Sequence, residues 1–330
     1  MRLLASLAAV LALVAFGASP ALAADGDITW AVHPSDGSAA DGRPWVEQEL
    51  DPGASAEEHL VVENYSDEQV TFRLTAADGI FRENGRFSML NPDEESTDAG
   101  TWITVAPEVT VDARSSAVVP FSTTVPDDAT PGDHAAGIAA SVVMQRAAED
   151  GTSVGVESRV GFRVMTRVTG TLEPRLRVDD PHADYSLSWN PFRAGRGTIT
   201  FTAVNAGNTR LELGGSISLG GQTAPVPEGQ ELLPGDSRTI TVSVPGVWPL
   251  VYATGSIDIS STVTGIGEGT EVAPVTASIG TWAWPLPQIA VLVGIALIVF
   301  AIVSGRIRSR RRLAVLLAEA REEGRREAGA

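Results

Sequence analysis

Cysteine is absent from the 330-residue chain, which removes disulfides, thiol nucleophiles and thiolate metal sites together. Any exported part must therefore hold itself together through its core. Lysine is absent too, so every basic side chain is an arginine, and histidine occurs only at His33, His59, His134 and His182. No two of these stand at a metal-ligand spacing. Phosphate loops and dinucleotide fingerprints are missing, and "GIGEG", from Gly265, reads as a hairpin turn with no helix after it. Carboxylates are plentiful, but they fall in turns, where solubility and backbone geometry explain them better than acid–base work on a glycosidic bond. The chain reads as non-enzymatic, with no cofactor.

Long charge-free apolar runs occur only near the two ends. Residues 1–23 open with Arg2, continue through "LLASLAAVLALVAFGA" and finish at Ala21-Leu22-Ala23. That is the layout of a secretory signal peptide, with cleavage expected before Ala24. From Trp282 to Val303 there is no charge, which as helix is about 33 Å at about 1.5 Å per residue and matches a bilayer core of about 30 Å. A transmembrane helix is expected over 282–304, with Trp282 and Trp284 at the outer interface. Arg306, Arg308, Arg310, Arg311 and Arg312 follow it, which places 305–330 in the cytoplasm as a short, basic, helical tail. The expected protein crosses the lipid bilayer of the cell membrane once, with its N-terminal region extracellular.

Between signal and tail lie 15 basic and 37 acidic residues, a net charge of −22. Such a surface repels nucleic acid and favours solubility, cations or cationic partners. Arginine in place of lysine and abundant alanine suggest a GC-rich genome. With a short signal and no disulfides, the composition points to a bacterial, actinobacterial envelope.

The exterior alternates. "HLVVENY", "QVTFRLT", "GTITFTAV", "RTITVSV" and "SIDISSTV" are β-branched-rich runs of strand length between Pro, Gly, Asn and Asp punctuation. They also repeat. "VVENYSDEQVTF" at Val61 is echoed by "FTAVNAGNTRLEL" at Phe201, and each copy proceeds through a strand, a tight turn and a strand closed by Val-Pro, at Pro126 and at Pro245. His134 and Tyr252 then each stand three residues before a glycine. The expected fold is all-β, two tandem immunoglobulin-like β-sandwich domains at 24–170 and 171–278, followed by the span and tail. The repeated Asn turn reads as scaffold, its Asn tolerating the backbone conformations of such turns.

From Asn64 to Pro126 is 62 positions and from Asn205 to Pro245 is 40, so the first copy carries 22 extra residues. Long connections in compact domains tend to be functional or disordered. "GIFRENGRFSML" has the pattern of a hairpin turning at Asn84-Gly85, an exposed platform. Phe81, Arg82, Phe87 and Trp102 are its candidate binding residues, and Met89 raises the same question. Trp102 suits a buried strand anchor as well as a sugar- or partner-binding ring. In "NPDEESTDAG", Asp93, Glu95 and Asp98 could offer hard oxygen ligands to calcium, although their spacing fits no defined calcium loop and a solvated turn is the better explanation.

"LDPGASAEEHLVVENYSDEQVTFRL", "GTWITV" and "VTVDARSSAVVPFSTTVPDDATPGDHAAGIAASV", with a C-terminal span and basic tail, resemble the WxL-interacting protein family of Gram-positive cell surfaces. The resemblance is strongest over 28–170, and "PGDHAAGI" and "ENYSDEQVTF" are its most specific pieces. It implies a peptidoglycan-binding first domain and a partner bearing a WxL motif on the same cell. The second copy fits a generic immunoglobulin-like repeat as well as it fits the family's host-binding domain. No family site residues map onto this chain position by position. The expectation is a scaffold linking membrane and cell wall through peptidoglycan or other surface proteins. The alternative is a single-pass sensor or accessory subunit that recognises an extracellular ligand and docks a cytoplasmic partner through its tail.

Overall fold

Period-two alternation is what the backbone converts into sheets. Along Arg238–Val244 the buried side chains are Arg238, Ile240, Val242 and Val244, while Thr239, Thr241 and Ser243 face out. A computed structural model of the protein describes residues 28–82, 85–147, 153–267 and 271–328. The signal peptide expected over 1–23, and Asn84 of the expected turn, lie outside them.

The chain divides into two compact units. The first takes the residues up to Ile80, with Phe87–Thr130 and His134–Thr169; the second takes Phe81–Arg86, Pro131–Asp133 and Gly170 onward. In chain order the strands run β1 (Trp30–Ser35), β2 (Val46–Leu50), β3 (Ser55–Asn64), β4 (Val70–Phe81) and β5 (Phe87–Met89). A 3-10 turn (Ala99–Trp102) precedes β6 (Ile103–Val105), β7 (Glu108–Val111), β8 (Ser116–Thr124), β9 (Gly132–Ala147) and β10 (Ser153–Val168). One sheet is ordered β1-β3-β8-β6; the other is ordered β2-β10-β9-β4-β5, with β7 also on β4. Leu60, Val62 and Phe121 of the first sheet share one buried cluster with Phe72, Ile138 and Val164 of the second.

The second unit continues with β11 (Leu176–Ser186), β12 (Gly195–Asn205), β13 (Leu211–Leu219), β14 (Gln222–Pro225), β15 (Gln230–Leu232), β16 (Ser237–Val247), β17 (Val251–Val263) and β18 (Glu271–Ala283). Its sheets are β11-β12-β16 and β14-β13-β17-β18, with β15 on β13. Ile199, Phe201 and Val244 from one meet Leu211, Ile217 and Ile257 from the other in a second buried cluster.

The repeated asparagine does the same job in both units. Asn64 is 1% exposed and Asn205 is 0%. Asn64 Nδ2 donates to the carbonyls of Glu68 (2.8 Å), Val111 and Asp112 (both 3.1 Å), and its Oδ1 accepts from the Ser66 amide at 3.0 Å. Asn205 Nδ2 donates to Thr209 O at 2.7 Å and Leu232 O at 3.1 Å, and its Oδ1 accepts from the Gly207 amide at 3.1 Å. The turn met by each Asn amide also matches. Asn64 N donates to Ser115 O and Asn205 N to Asp236 O, and the residue before each acceptor has a left-handed backbone, Arg114 at φ 53 and Gly235 at φ 79. The turn-conformation reason for the asparagines is thereby corrected, because neither has positive φ. What selects the residue is the carboxamide, which supplies donors and an acceptor to main-chain groups that water cannot reach.

The sheets end later than the expected limit of 278. Tyr252 pairs with Trp282 and Val251 with Ala283, so both of those residues extend β18 and are not helix. A single helix, α1 (Leu286–Ala328), follows. It is about 64 Å long at about 1.5 Å per residue, and it is long and apolar enough to cross a membrane. Pro285 precedes it and Pro287 sits in its first turn, where a missing N–H costs little. The helix runs without interruption through the arginines after 304.

Replacing Asn64 by Asp keeps the shape but removes the buried donor and turns an acceptor oxygen towards three carbonyl oxygens. N64D is expected to lower stability by about 3 kcal/mol, at least as much as N64A, and N205D to do the same in the second copy. Guanidinium unfolding of the full chain in detergent measures this; a loss below about 0.5 kcal/mol would show that the carboxamide is dispensable.

Candidate binding site on the first unit

The extra residues of the first copy fall between β4 and β8, and one carboxylate organises them. Asp78, buried near the end of β4, accepts from the amides of Thr97 (2.7 Å) and Asp98 (3.0 Å) through Oδ2 and from that of Gly100 (2.6 Å) through Oδ1. Its own amide donates to Ser96 Oγ at 3.0 Å. A Cβ on Gly100 would lie 2.3 Å from the Asp78 nitrogen, so this approach requires glycine. The chain after the loop is thereby pinned into the core, where Ala99, Trp102 and Ile103 join the buried cluster. His134 closes the arrangement. Its ring lies 4.7 Å from that of Trp102, Nδ1 is 2.7 Å from Asp98 Oδ1, and Nε2 is 2.8 Å from Thr130 O. Both ring nitrogens thus face oxygens, and full pairing uses the doubly protonated ring.

This geometry revises the candidate residues. Trp102 is 8% exposed, so it anchors the core and leaves the binding set. Asp93 and Glu95 are exposed, Asp98 engages His134, and among the described residues no group of three or more His, Asp or Glu could hold a metal. The calcium set is therefore not assembled. Phe81 is half-buried at the end of β4, and Arg82 is exposed, its amide donating to Arg86 O. Neither lines the cleft beside β5.

Phe87 does. The alternation that sends Phe72 and Leu74 of β4, Ile138 and Ala140 of β9 and Phe162 and Val164 of β10 into the core leaves Gly79, Gly137, Ala139 and Gly161 on the opposite face. A Cβ on Gly79 would meet the Phe87 ring at 2.6 Å, and one on Gly137 would meet Met89 Cγ at 2.6 Å. The two β5 side chains therefore lie back across bare backbone, an aromatic covering a glycine on the neighbouring strand. Beside them opens a cleft of about 230 Å³ lined by Phe87, Ser88, Met89, Ala139, Arg159, Gly161 and Phe162. Arg159 reaches from β10 to the end of β5, where Nη1 donates to Leu90 O at 3.1 Å. The cleft is smaller than the about 300–1,000 Å³ of typical ligand pockets, so it admits one ring-sized group. It offers that group an aromatic face, a thioether and a half-buried guanidinium.

Arg159 and the glycines were not legible in the sequence as a site. The usable signal was the coincidence of glycine at one parity on β4, β9 and β10, which appears only once the strands are in register.

Asp78→Ala leaves three amides without their acceptor. Its expected effects are a loss of about 3 kcal/mol and faster hydrogen exchange at Thr97, Asp98 and Gly100, with Asp78→Asn intermediate. Unchanged exchange at those amides would show that the loop is held by other contacts.

No family model matches the chain, and no curated protein matches it. Among solved structures it is similar to the Salmonella enterica SafA pilin in complex with the SafB chaperone, at 13% identity, covering 76% of this chain and 95% of that one, with a TM-score of 0.36. It is also similar to the class 5 fimbriae chaperone CfaA, at 12% identity, with 76% and 99% coverage and a TM-score of 0.38. The Pseudomonas aeruginosa CupB2 chaperone is a third, at 15% identity, with 73% and 98% coverage and a TM-score of 0.31. Likeness at this level transfers no activity or partner to this chain.

Proposed function

We propose that the protein is a membrane-anchored, non-enzymatic component of a bacterial cell envelope that holds peptidoglycan through its first domain and so ties the membrane to the wall. Two facing sheets around one core in each unit, with the same buried asparagine at the same turn, support reading the exterior as two tandem immunoglobulin-like β-sandwich domains. The apolar first half of α1 is the anchor. The arginines from Arg306 to Arg312 set the tail in the cytoplasm.

The observation that carries the binding role is the cleft of Phe87 and Arg159 over the glycine face. Wall polymer presents sugar rings along its glycan strands and carboxylates on its peptide stems. An aromatic ring packs against the apolar face of a sugar, and a guanidinium pairs with a carboxylate through two parallel hydrogen bonds. Phe87 and Arg159 line one cleft large enough for a single ring. The resemblance to the WxL-interacting proteins points to the same ligand and adds a WxL-bearing surface protein as a second partner. The acidic exterior fits neither nucleic acid nor an anionic polymer held by charge alone, so recognition falls to a local site.

Full-length protein in detergent is expected to co-sediment with isolated sacculi. Arg159→Ala, at a half-buried position outside the core cluster, should weaken that binding about tenfold, the equivalent of about 1.4 kcal/mol, while leaving the melting transition in place. Deleting 78–106 is not a usable control, because it removes Asp78 and Trp102. Sacculi that fail to retain the wild-type chain would end the peptidoglycan reading, and retention unaffected by Arg159→Ala would move the site elsewhere on the protein.

A further inference from the structure

The pairing register gathers three connections at one end of the second unit. Gly195 pairs with Val247, so the β11–β12 loop and the β16–β17 loop emerge together. Val251 pairs with Ala283, so the end of β18 and the start of α1 emerge with them. Gln288, in the first turn of α1, donates from Nε2 to Pro191 O at 2.9 Å, fastening the first of these loops to the helix.

Large apolar side chains stand out into solvent at this end. In the β11–β12 loop Trp189 is 79% exposed and Phe192 84%; in the β16–β17 loop Trp248 is 49% and Leu250 73%. At the strand ends Trp282 stacks on Trp284, with centroids 5.5 Å apart, and meets the Tyr252 ring at 5.1 Å. Apart from Leu172, every large exposed hydrophobic described in this unit outside α1 belongs to this end. Its charge is as unusual as its polarity. The segments 187–194, 248–250 and 284–287 contain no carboxylate and one charged residue, Arg193, on an exterior whose net charge is −22.

We propose that this end of the second domain is seated in the lipid interface, so that the domain rests on the bilayer and does not merely hang from its span. The proposal rests on the reading of α1 as a membrane helix. The occupant follows from position, because the aromatic collar surrounds the point where an apolar helix begins, which is where the headgroup layer must lie if the helix spans. Tryptophan and tyrosine favour that layer, having an apolar body and a polar tip. An arginine beside them pairs with phosphate, and carboxylates would be repelled by it. A contiguous exposed apolar patch signals a protein or a membrane partner, and the start of the helix decides for the membrane.

The cysteine-free chain allows a direct test. Single-cysteine variants Trp189→Cys, Phe192→Cys, Leu297→Cys and Glu228→Cys, made in the full-length protein, are labelled with a nitroxide and reconstituted into phosphatidylcholine vesicles. Leu297 reports the span, and Glu228, exposed in the β14–β15 loop, reports the aqueous side. Collision with oxygen is compared with collision with a water-soluble nickel chelate. The expected oxygen-to-nickel ratio at 189 and 192 is at least about threefold that at 228, as for a group lodged at the boundary of headgroup and acyl chain, and is lower than at 297. Ratios at 189 and 192 equal to that at 228, with 297 deep, would overturn the seating while leaving the span intact, and would return the collar to a protein partner. A 297 label as aqueous as 228 would remove the span, and the seating with it.

Discussion

A buried carboxamide is the constraint on which both units depend. Strands that leave a sheet must turn, and the amides and carbonyls at the turn are cut off from water if the next strand crosses over them. Asn64 and Asn205 sit at that crossing, each with a side chain that donates into two stretches of main chain and accepts from an amide of the nearer one. Leaving such groups unpaired costs about 1–3 kcal/mol apiece, a large share of the net stability of a domain without disulfides. An aliphatic residue would fill the space and leave the groups unpaired, and aspartate would supply only acceptors. This explains why the asparagine survives in both copies, whereas the residue at the left-handed position of the neighbouring turn differs, arginine in one and glycine in the other.

How much of this was legible in the sequence follows from the range of each interaction. Alternation is local, so the strands around Val61, Phe201 and Ile240 are visible in seven or eight residues, and so is the recurrence of the landmarks that follow the two asparagines. The role of Asn64 was half visible. Its place beside a turn shows in the sequence, but the partners that matter, Val111 and Asp112, are 47 and 48 positions away. Asp78 was not visible at all, because an acid at the end of a strand resembles any surface carboxylate until the loop that it holds is folded onto it. Trp102 was ambiguous for the same reason, since the neighbour that decides its environment, His134, is 32 positions further on.

The cleft on the first unit illustrates how a sheet makes room. A face of ordinary side chains is closed to ligands because neighbouring Cβ groups stand about 4.5–5.5 Å apart and fill the space above the backbone. Glycine and alanine at one parity on β4, β9 and β10 strip that layer away, and two side chains of β5 cover only part of the exposed backbone. Glycine weakens a strand, so such a face carries a cost that packing alone does not explain. The other face of the same strands carries Phe72, Leu74, Ile138 and Val164, which keeps the sheet together while its outer side stays thin.

The collar end of the second unit combines exposed aromatic side chains with loops that contain no carboxylate. The described connections at the other end, 206–210 and 233–236, carry Arg210 and Asp236, whereas the collar connections carry only Arg193. Electrostatic forces between exposed groups fade over about 8–10 Å at physiological salt, so the net charge of the whole exterior matters less at a bilayer than the charge of the loops nearest to it. An acidic exterior with one acid-free, aromatic end therefore gives a domain a preferred orientation even without a rigid linker. Pro285 and Pro287 bracket the first residue of α1 and restrict the backbone there, and the hydrogen bond from Gln288 to Pro191 ties the helix to the loop that carries Trp189 and Phe192. Helix and collar are thus held as one body. Burying either one in lipid fixes the depth of the other.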